Sequence, residues 1–283
     1  NLLTDALNYF YQNRSGMAIE EKYITSGEKA ALAHQASHEV DEAYIQIKNS
    51  SSYSYYDSQD ASKDNASSVI EASGGWYMIG QNYTKQVLVG GMSVWTLQNM
   101  YERAVQTESG RDKFADGSGT VVIPESGNAV PDILDETAYE LDWMTDMVVK
   151  EDEPTWGKYA GMVYSNLKDH KWIGLATRPY DYEEEWGTVR IVNPPTFDAT
   201  LNYIACSAQA ARLWQPYDSE KAAYYFESAK KYGAMNCLEC GSCAYNCPAK
   251  RSLVQSIAMA KSKIKELKIM KILSMMLVGA VLS

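Results

Sequence analysis

The chain is poor in phenylalanine, with 4 in 283 residues, against 21 tyrosines and 7 tryptophans. Its aromatic area is therefore carried by rings with a polar edge, which serve equally for partly buried packing and for stacking against sugar rings. Positive charge is also short: 26 Lys and Arg face 36 Asp and Glu, a formal net charge of −10. A nucleic-acid partner needs clustered bases to displace counterions, so nucleic acid is excluded as a partner. Of the 5 cysteines, four crowd between Cys237 and Cys247 and Cys206 stands apart. That is not the layout of an extracellular disulfide framework. The apolar stretch Ile269 to Leu282 is interrupted by Lys271, Ser274 and Gly279. It falls short of the roughly 20 residues that cross a bilayer, and supports weak membrane association through the tail instead. Neither a methionine nor a secretion signal precedes Asn1, so the start reads as trimmed or internal.

What is present suffices for a globular body. The 46% hydrophobic content over 283 residues fills one large core or two smaller ones. Charge is unevenly spread. From Ala234 onward seven bases face two acids, whereas the part before it is strongly acidic. A change of sign of this kind marks a boundary between unlike segments.

Apolar spacing predicts a helix over Asn1 to Gln12 on Leu3, Ala6, Leu7, Phe10 and Tyr11. Further helices are predicted over Met92 to Val105, from Pro131 through Val148, and from Phe197 to just before Pro216, where Thr196 supplies the cap. Asp132, Asp135 and Glu136 load the first turn of the third helix, where the helix dipole favours acids. Asn49 to Ser68 reads as a long solvated loop. His170, beside Asp169, reads as a surface residue, and the acidic run Asp181 to Glu185 as a solvated face. No segment shows a convincing strand alternation.

The stretch GGWYMIGQNYTKQVLVGG, Gly74 to Gly91, reads locally as a glycine-bounded polar loop. Its neighbours carry more. ALNYFYQNRSG near the start, SGGWY before the loop, GGMSVWTLQNMYERA after it, then GNAVPDILDETAYELDWM and ATLNYIACSAQAARLW, resemble the front half of the family 9 glycoside hydrolases in the same order. The resemblance covers about residues 1–231. It implies an all-α fold, an incomplete (α/α)6 barrel corresponding to the first half, and an inverting enzyme acting on β-1,4-glucans such as cellulose. It also implies an extracellular setting and, as sugar-contacting residues, Trp76, Tyr77 and Trp172.

In that family the segment after Trp-Tyr reads approximately DAGDHGKYVVN, and its aspartates carry the water-activating base. Alignment on Lys85 and Gly90-Gly91 places Ile79 and Asn82 at the two aspartate positions, with Met78 as an extra residue. Inversion needs one carboxylate to activate water and a carboxylic acid to protonate the leaving oxygen. Neither Ile79 nor Asn82 takes a proton from water, and nothing in the last third resembles the region of the family's glutamate acid. The resemblance thus names no catalytic residue here.

Cys237, Cys240, Cys243 and Cys247, followed by Pro248, spell CxxCxxCxxxCP, the spacing that wraps thiolates around a 4Fe-4S cluster. Zinc is the rival cofactor, although it more often takes two separated CxxC knuckles. KKYGAMNCLECGSCAYNCPAKRSLVQSIAMAKSKI resembles the ferredoxin-like end of the C subunit of Rnf electron-transport complexes, which carries two such motifs and implies a cytoplasmic membrane face. Here one motif is present, and Cys206 is the only further thiol. The sequence therefore divides into a hydrolase-like part at 1–231, a ferredoxin-like segment at 232–266 and an apolar, signal-like tail at 267–283. Its leading reading is a cellulase-like chain with little or no activity, joined to an unrelated tail. The alternatives are an iron-sulfur electron-transfer module and a non-catalytic carbohydrate binder.

Overall fold

The computed structural model describes residues 1–49, 59–78, 82–173, 177–180, 189–231 and 262. Ile79, Trp186, the acidic run 181–185, the four clustered cysteines and the apolar tail all lie outside the described residues.

Eight α-helices are described: α1 (Leu2–Gln12), α2 (Lys29–Leu32), α3 (Gln59–Asp64), α4 (Val87–Ala104), α5 (Glu108–Lys113), α6 (Asp132–Asp146), α7 (Phe197–Trp214) and α8 (Ser219–Lys231). Four of the long ones, α1, α4, α6 and α7, follow the apolar spacing that predicts them, α4 starting five residues earlier than expected, whereas α8 is not among the predicted helices. α1 begins where the Asn1 side chain accepts from the Leu3 N–H, and it buries Leu7 and Tyr11. α6 turns Leu134, Ala138, Leu141 and Met144 inward. α7 starts at the Thr196 cap and buries fourteen of its eighteen residues, a helix enclosed on most sides rather than laid on a surface. α4, α6 and α7 pack on one another, and α8 returns along α7.

The body is not all-α. Strands β1 (Glu42–Gln46), β2 (Ala66–Glu71), β3 (Lys85–Gln86), β5 (Asn166–Asp169) and β6 (Arg190–Val192) form a five-stranded sheet in the order β2-β1-β6-β5-β3. β4 (Val163–Tyr164) and β7 (Pro195–Thr196) form a separate pair. β1 and β6 are parallel and the other neighbours in the large sheet antiparallel. Most of these strands have two to five residues, too few to display an alternation of period two. The expected solvated loop from Asn49 to Ser68 is corrected in the same way, since its described end supplies α3 and the start of β2.

The second glycine pair is corrected too. Gly90 and Gly91 do not close a loop but sit inside α4. They are there for close approach: a Cβ at Gly90 would lie 1.7 Å from Glu140 Oε1, and one at Gly91 would lie 2.7 Å from Asn202 Oδ1. Glycine at these positions lets α6 and α7 press their polar side chains against the α4 backbone, at the propensity cost glycine carries in a helix.

Candidate functional site: a clamped loop with its carboxylates engaged

The first glycine pair behaves as the sequence suggests. Gly74 and Gly75 have φ of +80° and +75°, and a Cβ on Gly75 would meet the Trp143 ring at 2.7 Å. They turn the chain so that Trp76 and Tyr77 run beside the end of α1, where Gly75 O accepts from Ser15 N–H at 2.8 Å and Tyr77 N–H donates to Asn13 O at 2.8 Å. Met78 N–H donates to Thr84 O at 2.8 Å, so residues 78 and 84 form the neck of the divergent loop.

Buried charge holds that neck. The Lys85 ammonium, fully buried, donates to Asp41 Oδ2, Ala72 O and Gly74 O, each at 2.8 Å. Three acceptors satisfy the three N–H bonds of a protonated amine. Asp41 also receives a two-pronged contact from Arg190, at 2.8 and 3.0 Å, and Arg190 reaches Asp169 Oδ1 at 3.2 Å and Tyr83 O at 3.0 Å. Burial pushes the Asp41 carboxyl up, but the Arg190 and Lys85 cations outweigh it and hold it well below the usual carboxylate range. Two cations and two carboxylates thus tie the ends of β1, β3, β5 and β6 around the loop.

Asn82 sits inside this frame, 6% exposed. Its side-chain oxygen accepts from the Thr84 hydroxyl, and its backbone oxygen accepts from Asp169 N–H at 2.9 Å. His38 is hydrogen-bonded to the Tyr77 hydroxyl, and burial with the neighbouring Arg190 and Lys85 charges pushes its imidazole down to about 2. It stays neutral across the working range and is a poor base. Tyr77 and Tyr83 meet edge to face at 5.0 Å.

The three expected sugar-contacting residues separate. Trp76 is 2% exposed, with its indole N–H donating to Glu136 Oε1 at 2.8 Å, and packs as core. Tyr77 is buried with its hydroxyl bound to Ser37 and His38, while Trp172 is 41% exposed and presents a ring to solvent. Sequence reasoning missed what Glu136 does. Rather than complementing the helix dipole at the surface, it is buried beneath Arg14, which bridges it to Glu125 at 2.8 Å and lies 4.3 Å from the Tyr139 ring centre. His170 is likewise buried, not a surface residue. Glu140, one turn beyond Glu136, accepts the Trp76 N–H at 2.6 Å, and burial pushes its carboxyl up to about 8.

Cys206 lies on α7 with no exposed surface, its thiol 3.2 Å from Gly91 O. It packs as a buried core residue. Among the described residues no group of three or more His, Cys, Asp or Glu could hold a metal ion. No helix among them is long and apolar enough to cross a membrane.

The packed helices with an inserted clamped loop have the form of part of a helical barrel. The sequence profile of Glycosyl hydrolase family 9 matches residues 1–246, and the chain belongs to that family. The match runs past 231 and takes in Cys237, Cys240 and Cys243. The chain is 38% identical to endoglucanase C of Cellulomonas fimi over 229 residues, 80% of this chain and 19% of that protein. It is 36% identical over 227 residues to a cellulose 1,4-β-cellobiosidase of Acetivibrio thermocellus, covering 80% of this chain and 24% of that one. Among solved structures, a metagenome-derived family 9 endoglucanase aligns with a TM-score of 0.61 at 28% identity, over 82% of this chain and 34% of that chain. The chain therefore spans less than a quarter of the length of these two curated relatives, and the likeness fits a partial (α/α)6 barrel.

Proposed function

We propose that this chain is directed at β-1,4-glucan and hydrolyses it very weakly or not at all. Family membership and the named relatives, an endoglucanase and a cellobiosidase, support the substrate class. A chain of this kind meets its polymer outside the cell. The observation that carries the loss of chemistry is Asn82, an amide at a family carboxylate position, already accepting hydrogen bonds through both its side-chain and backbone oxygens. An amide has the shape of the carboxylate and none of its basicity, so it cannot activate water. The neighbouring acids offer no substitute, because Asp41 and Asp169 are both engaged by Arg190. Incubated with carboxymethylcellulose, the purified chain is expected to release no reducing ends above the blank, and release in proportion to protein would overturn the proposal.

The cysteine spacing supports a separate proposal for Cys237, Cys240, Cys243 and Cys247: an iron-sulfur site, with zinc as rival, whose ligands come from this segment and exclude Cys206. Anaerobic reconstitution followed by iron and acid-labile sulfide analysis is expected to retain both. Retention of zinc alone, or of no metal, contradicts it.

A further inference from the structure

A concavity lies away from the divergent loop. Between β2 and the segment following α6 is a cavity of ≈ 230 Å3, lined among others by Ile70, Val148, Tyr164, Lys150, Asp152 and Glu153. Ile45 also lines it, four residues along β1 from Asp41, about 13 Å at strand rise. The cavity is thus at the opposite end of the strand from the Lys85–Asp41–Arg190 clamp.

Its polar groups divide into fixed and uncommitted ones. Glu153 is fixed, because its carboxylate accepts from the Ser67 and Ser68 hydroxyls and from the Thr155 and Trp156 backbone N–H groups. Those bonds rigidify the wall. Lys150 and Asp152 are exposed, and their side chains make no hydrogen bond or ion pair with the described residues, although Lys150 O accepts from Glu153 N–H at 3.3 Å. Tyr164, 1% exposed, has a hydroxyl without a hydrogen-bond partner. An apolar floor with a few convergent polar groups is the general form of a small-molecule site.

The chemistry of the wall selects a neutral polyol. One ammonium and two carboxylates surround the opening, so a phosphate or carboxylate ligand meets like charge on two sides. A sugar ring has an apolar C–H face for Ile70 and Val148, and hydroxyls that accept from Lys150 and donate to Asp152. Sites for drug-sized ligands run from about 300 Å3 upward, so this cavity suits one ring rather than a longer ligand. The same segment continues into Trp156 and Tyr159, whose ring centres are 6.3 Å apart, with Tyr159 45% exposed and Trp156 anchored through its indole N–H to Gln46 O at 3.1 Å. An exposed, supported aromatic ring is a platform on which a neighbouring sugar stacks.

We propose that this cavity and Tyr159 form a glucan-binding site distinct from the 78–85 loop, holding one pyranose ring of a β-1,4-glucan while the adjacent ring lies on Tyr159. The site rests on the glucan reading given above and adds a second place where the polymer is held. Calorimetric titration of the full chain with cellohexaose tests it. The wild type is expected to bind, Lys150→Ala/Asp152→Ala and Tyr159→Ala each to bind at least tenfold more weakly, and Tyr9→Ala, which removes an exposed ring on α1, to bind within twofold of wild type. Unchanged thermal midpoints in these surface variants keep the comparison free of folding effects. Wild-type affinity in both cavity variants overturns this site and leaves the glucan reading standing. Absence of cellohexaose binding by the wild-type chain overturns both.

Discussion

Replacing Asp41 with alanine is expected to destabilise the protein by about 3–5 kcal/mol, the cost of leaving buried cations without their counter-charge. Lys85 and Arg190 both converge on this carboxylate, and all three side chains are buried. For a body of this size the thermal midpoint should fall by roughly 6–20 °C. Should Asp41→Ala not accumulate as folded protein, Asp41→Asn keeps the shape and one acceptor and should show a smaller loss in the same direction. A midpoint within about 1 °C of wild type in both variants would mean that the clamp does not hold the loop neck. The consequence extends beyond stability, because Lys85 also ties down Ala72 O and Gly74 O, the backbone that positions Trp76 and Tyr77.

Glu140 makes the second large effect, and its sign is opposite to that of a salt-bridged carboxylate. Burial pushes its carboxyl up to about 8, with the Glu136 charge adding to the rise and the Trp76 N–H and Lys85 opposing it. In the unfolded chain the group titrates near the ordinary glutamate value of about 4.3. Between those values the native state keeps a proton that the unfolded state releases, so this group's contribution is fully present below the unfolded value and is lost as pH rises through 8. The difference is on the order of 3–5 kcal/mol across the window. Glu140→Gln removes the titration while retaining an acceptor for Trp76 N–H. Denaturant unfolding at pH 5 and pH 9 should show wild type losing several kcal/mol relative to Glu140→Gln. Parallel behaviour of the two proteins would show that Glu140 is ionised in the native state.

The long helices were legible because their apolar residues repeat at helical spacing over three turns or more, and α1, α6 and α7 lie close to where that spacing puts them. The sheet was not legible, since β3, β4 and β7 have two residues each and are fixed by register with distant partners rather than by local pattern. Gly90 and Gly91 misled for a related reason. Their role is set by Glu140 and Asn202 on other helices, and local sequence reports the absence of a side chain without saying what fills the space. Glu136 and His170 were read as surface groups because nothing local reveals that Arg14, more than a hundred residues away, comes to rest on Glu136. The one available signal was Arg14 itself, a lone base directly after the first helix. Trp76 shows the limit of reading aromatics as sugar platforms, since an indole N–H satisfied inside the core belongs to packing.

The proposed loss of chemistry rests on an alignment that places Asn82 at a family carboxylate position, and an amide there lacks basicity whatever surrounds it. The structure adds that its oxygens are already engaged and that the surrounding acids are neutralised by Lys85 and Arg190.

Depletion of the purified chain from solution by phosphoric-acid-swollen cellulose, with reducing ends assayed in the same tube, tests the central claim most directly. The account predicts that protein leaves the supernatant while reducing ends stay at the blank level. Reducing ends that grow with time and protein, or protein that stays wholly in solution, would contradict it.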